Sequence, residues 1–240
     1  MKMDRGEVGG CVVKEVRGMT EDDFSGIKEE MIAKCLVLER MGYFVGTCGN
    51  VSVRFGRGFI VTPSRVPYSE LSPEDLVTVS FQGAVISGRR LPSSEVKMHA
   101  ALYRKREDVC AIIHGHSPYA STLACLHRSI PPFVEDLAQI VGGEVRCTRF
   151  VPGGEHERMA EEVVETIGSV NAVLIANHGW LCCGRDLAEA LVVSKILEKA
   201  ALMLLAAAPL GTVVRIPEDV VISERNRFLH KYGTPEDSQR

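Results

Sequence analysis

From residue 24 the apolar positions recur at helical spacing: Phe24, Ile27, Met31, Cys35 and Leu38 share one face, and Gly42 ends the run. Thr20 before the acidic turn Glu21-Asp22-Asp23 predicts a capped helix start. A glycine-rich loop, Gly46-Thr47-Cys48-Gly49-Asn50, then gives way to alternation. Val51 to Phe55 and Gly58 to Val61 flank Gly56-Arg57, and Val77 to Phe81 and Ala84 to Ile86 flank Gln82-Gly83; both read as hairpins. Pro92-Ser93-Ser94 opens a predicted helix to about Lys105. Val109 to Ile113 reads as a short buried strand with His114 and His116 at its exit, and Ser117-Pro118 starts the next helix. A strand near Val145 to Phe150 precedes a helix from about Glu155 to Ile167. Ala172 to Ala176 is another buried strand, ending at Asn177-His178-Gly179, with Trp180 to Cys183 returning beside it. Asp186 caps the longest helix, to about Ala208, and a short helix ends near Lys231. Hairpins mixed with strand–helix units predict an α/β class: one domain over 1–240, loose over 1–19, with helices covering both faces of a mixed β-sheet.

Composition narrows the function. Of 240 residues, 45% are apolar and 25% charged, enough to build a core rather than a disordered tail. The 28 basic and 31 acidic residues give a net charge of −3, which supplies no overall field for nucleic acid or an anionic membrane. The acidic, polar start Met1 to Glu7 lacks the apolar run of a secretory signal. The longest uncharged runs, Val109 to His127 and Thr166 to Gly184, are interrupted by Gly, Ser, Asn and His, so neither reads as a membrane span. Eight cysteines without a C-x-x-C read as thiols of a cytoplasmic protein.

His114-Gly115-His116 is the sharpest local signal. On a strand, positions two apart face the same side, so both imidazoles can aim at one divalent ion such as Zn²⁺. Two unconnected polar residues at a strand end would be spelled the same way. His178 also follows a buried strand, and strand ends on one sheet edge are where α/β proteins gather their sites. Glu95 reads either as a carboxylate stabilising a helix start or as an acid/base beside the metal. Ser93 and Ser94 offer hydroxyls at the same helix start, suited to a phosphate. Gly49-Asn50 and Ser64-Arg65 add donors on loops, and His99, one turn after Glu95, reads as a core residue. Other motifs fail on spelling: Ala160 stands where the second histidine after His156-Glu157 must be, and Tyr119 ends what would otherwise be a nucleophile elbow at Ser117. No dinucleotide-binding or P-loop glycine pattern occurs.

Taken in order, Gly49-Asn50-Val51-Ser52, Thr62-Pro63-Ser64, Leu91-Pro92-Ser93-Ser94-Glu95, His114-Gly115-His116 and His178-Gly179 resemble the class II aldolase/adducin family over roughly Glu29 to Ala208. The resemblance implies a three-layer α/β/α sandwich, assembled as a homotetramer with active sites between subunits. It implies one Zn²⁺ held by His114, His116 and His178, with Glu95 as catalytic acid/base and additional ligand. Gly49, Asn50, Ser64, Arg65, Ser93 and Ser94 become a substrate phosphate pocket. The implied reaction is reversible cleavage of a ketose 1-phosphate, such as L-fuculose 1-phosphate, to dihydroxyacetone phosphate and an aldehyde. The implied partner is thus a small sugar phosphate. Lys231-Tyr232-Gly233 resembles the family's tail, which makes 212–240 a segment near the site and Tyr232 a catalytic candidate. Two departures stand out. Arg65 replaces a glycine of the family's phosphate loop, and Phe133-Val134-Glu135-Asp136 stands where its aldolases carry a tyrosine. That leaves Glu135, Asp136, Tyr119 or Tyr232 for the second proton transfer. Within the family the alternatives are a methylthioribulose-1-phosphate aldolase or dehydratase and an L-ribulose-5-phosphate 4-epimerase, in which an aspartate is expected at position 95. A non-catalytic adducin-like module, without the metal histidines, is the remaining alternative.

Overall fold

The structure is a computed structural model and describes residues 21–230. Thr20 and Tyr232 lie outside the described residues. The chain builds α1 (Glu21–Arg40), then two hairpins, β1 (Asn50–Phe55) with β2 (Gly58–Val61) and β3 (Val77–Ser80) with β4 (Val85–Ser87). There follow α2 (Val96–Lys105), β5 (Ala111–Gly115), α3 (Pro118–Cys125), a single π-helical turn at Leu137–Val141 and α4 (His156–Ile167). A third hairpin, β6 (Ala172–Ile175) and β7 (Gly179–Gly184), leads to α5 (Leu187–Ala207) and α6 (Glu218–His230).

The seven strands form one sheet in the order β4-β3-β2-β1-β5-β7-β6. Each face carries its own core. Val51, Ile60, Ala111, Ile113, Leu174 and Cys182 pack against Met31 and Leu38 of α1, Leu123 of α3 and Leu197 of α5. Their strand neighbours Phe59, Val61, Ile112, Val173, Leu181 and Cys183 pack against Met98 and Leu102 of α2 and Val163 of α4. The alternation of β5 between the two cores explains why its sequence is an unbroken apolar run: with a helical layer on each side, neither face meets water.

The α/β class and the layering agree with the sequence. The expected mixed sheet needs a correction, since every pairing between its strands is antiparallel and the parallel component is one isolated bridge, Cys147 to Leu174. The strand expected near Val145 to Phe150 does not form. That stretch makes only single bridges, Val145 to Ile130 and Cys147 to Leu174, because it changes partner within two residues. Asp186 does cap α5, its carboxylate accepting from the Glu189 N–H at 2.7 Å. Six described cysteines are free thiols, but Cys110 is disulfide-bonded, which corrects the all-thiol expectation. No described helix is long and apolar enough to cross a membrane.

The described part of the expected tail runs to the other end of the sheet within one chain. α6 packs on the π-helical turn, where Arg225 donates to the Gln139 and Ile140 carbonyls at 2.8 Å each. Arg225, Leu229 and His230 line a cavity of about 410 Å³ with Val109 and Gly184. Those two residues mark the end of β5 and β7 opposite His114. Within one chain, then, α6 leads away from the histidines.

Candidate metal centre and active site

β5 lies inside the sheet between β1 and β7, and its fourth residue, His114, pairs in register with Asn50 of β1 and Leu181 of β7. His116 follows just beyond the strand end. The two-residue spacing sets their rings 4.6 Å apart. His178, in the turn between β6 and β7, completes the group, 4.9 Å from the His114 ring and 5.1 Å from that of His116. One nitrogen from each lies within 4.8 Å of the others. The glycines in both motifs make this approach feasible. A Cβ on Gly115 would sit 2.6 Å from the Trp180 ring, and one on Gly179 would sit 2.4 Å from the Gly115 oxygen. The spellings His-Gly-His and His-Gly are therefore packing requirements as well as ligand spacing.

Glu95 is the residue just before α2, one turn fragment later than the sequence suggested, because the helix begins at Val96. Its carboxylate caps no backbone N–H, which removes the helix-start reading. It points at the histidines instead. Oε2 lies 3.1 Å from His114 Nε2 and Oε1 lies 3.1 Å from His178 Nε2, while Asn50 Nδ2 donates to Oε2 at 2.7 Å. Burial pushes the Glu95 carboxyl upward, but the adjoining His114 and His178 outweigh it and hold the group well below the usual carboxylate range.

The donor set fits a metal ion. His114 Nδ1 donates to the Trp180 carbonyl at 2.8 Å, which leaves the Nε2 lone pair facing Glu95. That contact is close but not directed as a hydrogen bond, so His114 Nε2 remains a buried nitrogen without a partner; His116 Nδ1 is another. A lone pair aimed at a carboxylate is repulsive unless a proton or a cation comes between them. His116 is pushed down to about 3 by burial, reinforced by His114 and His178, so it stands neutral and ready to ligate. Three imidazoles with a carboxylate at one point suit a divalent transition metal.

The loops expected to hold a phosphate meet at the same edge. Pro63 and Pro92 form an antiparallel bridge, the Ser64 N–H donates to the Leu91 carbonyl at 2.9 Å, and the Ser93 N–H donates to the Thr62 carbonyl at 3.1 Å. Ser93 is buried, its hydroxyl accepting from the Glu95 N–H at 3.3 Å, while Ser94 and Arg65 are exposed. The Gly49 carbonyl accepts from the Tyr68 hydroxyl at 2.6 Å. Of the residues considered for a second proton transfer, Tyr119 is exposed at the start of α3. Glu135 accepts from Gln139 at 2.8 Å and Asp136 pairs with Lys199, so both are engaged elsewhere in the chain.

Two supports of the centre had no reading from sequence. Trp180 acts through its backbone carbonyl, which leaves no trace in residue type. Asn177 adopts left-handed backbone, φ 56°, beside His178, and its side-chain oxygen lies 2.6 Å from Nε2 of His127, itself at φ 51°. Asparagine tolerates that conformation better than most residues, and this was the available signal.

This assembly has known relatives. The family described as class II aldolase and adducin N-terminal domain matches residues 29–205. The chain belongs to that family. It is 36% identical over 204 residues to 5-deoxy-D-ribulose 1-phosphate aldolase of Bacillus thuringiensis, covering 84% of this chain and 94% of that one. It is 31% identical over 207 residues to L-fuculose phosphate aldolase of Escherichia coli, covering 86% and 95%. A solved structure of L-fuculose 1-phosphate aldolase superposes with a TM-score of 0.81 at 32% identity, over 85% of this chain and 96% of that one. As a member of this family, the chain brings together three histidines that could hold a metal ion.

Proposed function

We propose that the chain is a zinc-dependent lyase that reversibly cleaves a 1-phosphorylated deoxyketose to dihydroxyacetone phosphate and an aldehyde. The observation that carries this reading is the Glu95 carboxylate, 3.1 Å from two imidazoles whose free nitrogens converge with a third. The names of two similar proteins, 5-deoxy-D-ribulose 1-phosphate aldolase and L-fuculose phosphate aldolase, support a phosphorylated deoxyketose.

His114, His116 and His178 would hold a Zn²⁺, which when bound would supply a Lewis acid for the negative charge that develops as the C3–C4 bond breaks. Glu95 moves the proton at C3, taking it in condensation and returning it in cleavage. Asn50 Nδ2, bonded to Oε2, fixes the plane of that carboxylate. The phosphate sits at the meeting of the 62–65 and 91–94 loops, where Ser64, Arg65, Ser93 and Ser94, with Gly49 and Asn50 beside them, orient C1 without touching the reacting bond. We take the whole chain as one catalytic domain working in a cytoplasmic homotetramer with sites between subunits. α6 leads away from its own histidines, so Tyr232 is a candidate proton donor for a neighbouring subunit's site.

The test is a product assay on a panel of ketose phosphates. 5-Deoxy-D-ribulose 1-phosphate or L-fuculose 1-phosphate should release dihydroxyacetone phosphate, a zinc chelator should abolish the release, and Glu95→Gln should lower turnover about 10²–10⁴-fold with zinc retained. Interconversion of L-ribulose 5-phosphate without triose release would replace the lyase with an epimerase on the same site. No turnover of any ketose phosphate by zinc-loaded protein would leave the binding-module reading.

A further inference from the structure

Behind the histidines lies a buried carboxylate that the proposed reaction does not use. Glu198, on α5, is 7% exposed, and its two oxygens accept three hydrogen bonds from the chain immediately following His116. Ser117 Oγ donates to Oε2 at 2.5 Å, the Ala120 N–H to Oε2 at 2.9 Å and the Tyr119 N–H to Oε1 at 3.0 Å. Ser117 Oγ in turn accepts from Trp180 Nε1 at 2.8 Å. The Trp180 carbonyl is the group that fixes His114 through Nδ1. Its ring is the surface on which Gly115 rests, and it meets Tyr43 edge-on at 5.9 Å between centroids. The Tyr43 carbonyl accepts the His116 N–H at 2.9 Å. One carboxylate thus ties the segment from His114 to Ala120 to α5, directly at Ser117, Tyr119 and Ala120, through Trp180 at His114, and through Trp180 and Tyr43 at His116.

We propose that Glu198 is a positioning residue for the metal ligands: it holds His114 and His116 in the ligating arrangement through Ser117 and Trp180. A negative charge is otherwise costly in an apolar helix face, where its neighbours on α5 include the fully buried Leu197, Ala200 and Ala201. Three donors offset that cost, and the geometry they set is the one the histidines need. Outer partners of this kind commonly change metal affinity by about 10–100-fold. Glu198 reaches the His114 imidazole only through three successive hydrogen bonds, so the lower end, about tenfold, is the expected size.

The inference rests on the metal reading of the histidines. It is tested by competition titration of Zn²⁺ against a chromophoric chelator, together with the visible spectrum of Co²⁺-loaded protein, which reports ligand geometry. Glu198→Gln and Ser117→Ala should each weaken zinc binding about tenfold and alter the Co²⁺ bands. The double variant should lose little more than either alone, because both break one chain of bonds. Leu197→Ala is the control: it opens a cavity on the same helix and should lower Tm while leaving metal affinity and the Co²⁺ spectrum unchanged. Should Glu198→Gln fail to fold, Ser117→Ala carries the test, since it leaves the carboxylate its two backbone donors. Zinc affinity within about twofold of native in Ser117→Ala or a folded Glu198→Gln, despite a lowered Tm, would overturn the inference and leave the metal site intact. Failure of the unaltered protein to bind zinc would instead overturn the metal reading itself.

Discussion

Two polar clusters occupy opposite ends of the central strands, and they are built on opposite terms. At one end, Arg106 is satisfied on every side. Nε and Nη2 form a fork with Asp108 at 2.7 and 2.6 Å, Nη1 donates to the Gly168 and Val170 carbonyls, and Nη2 also reaches Asn171. All five guanidinium donors are used, and three of them join the end of α2 to the segment just before β6. At the other end, His114 Nε2, His116 Nδ1 and Asn50 Oδ1 are buried without partners, and a carboxylate faces them. Burial of unpaired polar atoms costs about 1–3 kcal/mol each, so a sequence that keeps several together keeps them for something they bind. The saturated end holds elements together; the unsatisfied end is left open to a ligand.

The sharpest way to break this comparison is to exchange the expected consequences. His114→Ala should reduce bound metal from about one ion per chain to near zero. Activity should fall by more than about 10³-fold, since even a single electrostatic donor in an active site is worth 10²–10³. The metal-free protein should still fold, losing about 1–2 kcal/mol as the Trp180 carbonyl gives up the Nδ1 donor. Arg106→Ala should do the reverse, lowering stability by about 3 kcal/mol through stranded carbonyls while metal content per folded chain stays near one. Metal analysis and urea denaturation of the two variants decide it, and the comparison fails if Arg106→Ala loses metal or His114→Ala unfolds.

How much of this difference could be read from the sequence follows from where each interaction is encoded. The hairpins and helices were legible because alternation and helical spacing are local, and His-Gly-His was legible because two-residue spacing fixes a shared side. The register that sets Asn50 opposite His114, and so delivers Asn50 to Glu95, depends on pairing between strands about sixty residues apart, which no local pattern states. The residues near Val145 looked like a strand because apolar and polar residues mix there as on a sheet edge, yet they change partner after a single bridge each. Glu95 was ambiguous for a physical reason: a helix start stabilises any carboxylate, and only its direction separates a cap from an acid/base. Trp180 and the Gly168 and Val170 carbonyls work through backbone atoms, which every residue type shares.

A smaller effect sharpens the comparison at the shoulder of the site. His99 is fully buried beneath Glu95, with Nδ1 2.6 Å from Ser52 Oγ, which lies 2.9 Å from the Tyr103 hydroxyl. Burial, with His114 adding to it, pushes His99 down to about 3. In the unfolded chain it titrates near 6.5, so between those values the unfolded state binds the extra proton. His99 therefore contributes stability that is present above about pH 6.5 and is lost as pH falls toward 3. Metal-free native protein taken from pH 7.5 to pH 5 should lose about 2 kcal/mol more stability than His99→Gln does, as read by urea denaturation. Equal losses would assign the acid sensitivity to other groups.

The smallest predicted effect sits on the rim, where an arginine is used in a third way. Arg65 is exposed, its backbone is left-handed at φ 63°, and its side chain makes no hydrogen bond or ion pair among the described residues. An L-residue in that conformation costs roughly 1 kcal/mol relative to glycine, the residue that the family resemblance leads one to expect there. Nothing in the fold returns that cost, unlike Arg106 with its five donors occupied. A guanidinium held on a strained turn beside Ser64 and Ser93 is placed to meet an anion, and phosphate accepts two parallel N–H donors. Arg65→Gly should accordingly raise Tm by about 2–4 °C while raising KM for the ketose phosphate and leaving kcat nearly unchanged. A variant that is less stable than native would show that Arg65 has a structural partner after all. A variant with unchanged KM would remove the guanidinium from the phosphate pocket and leave Ser64, Ser93 and Ser94 to hold the anion.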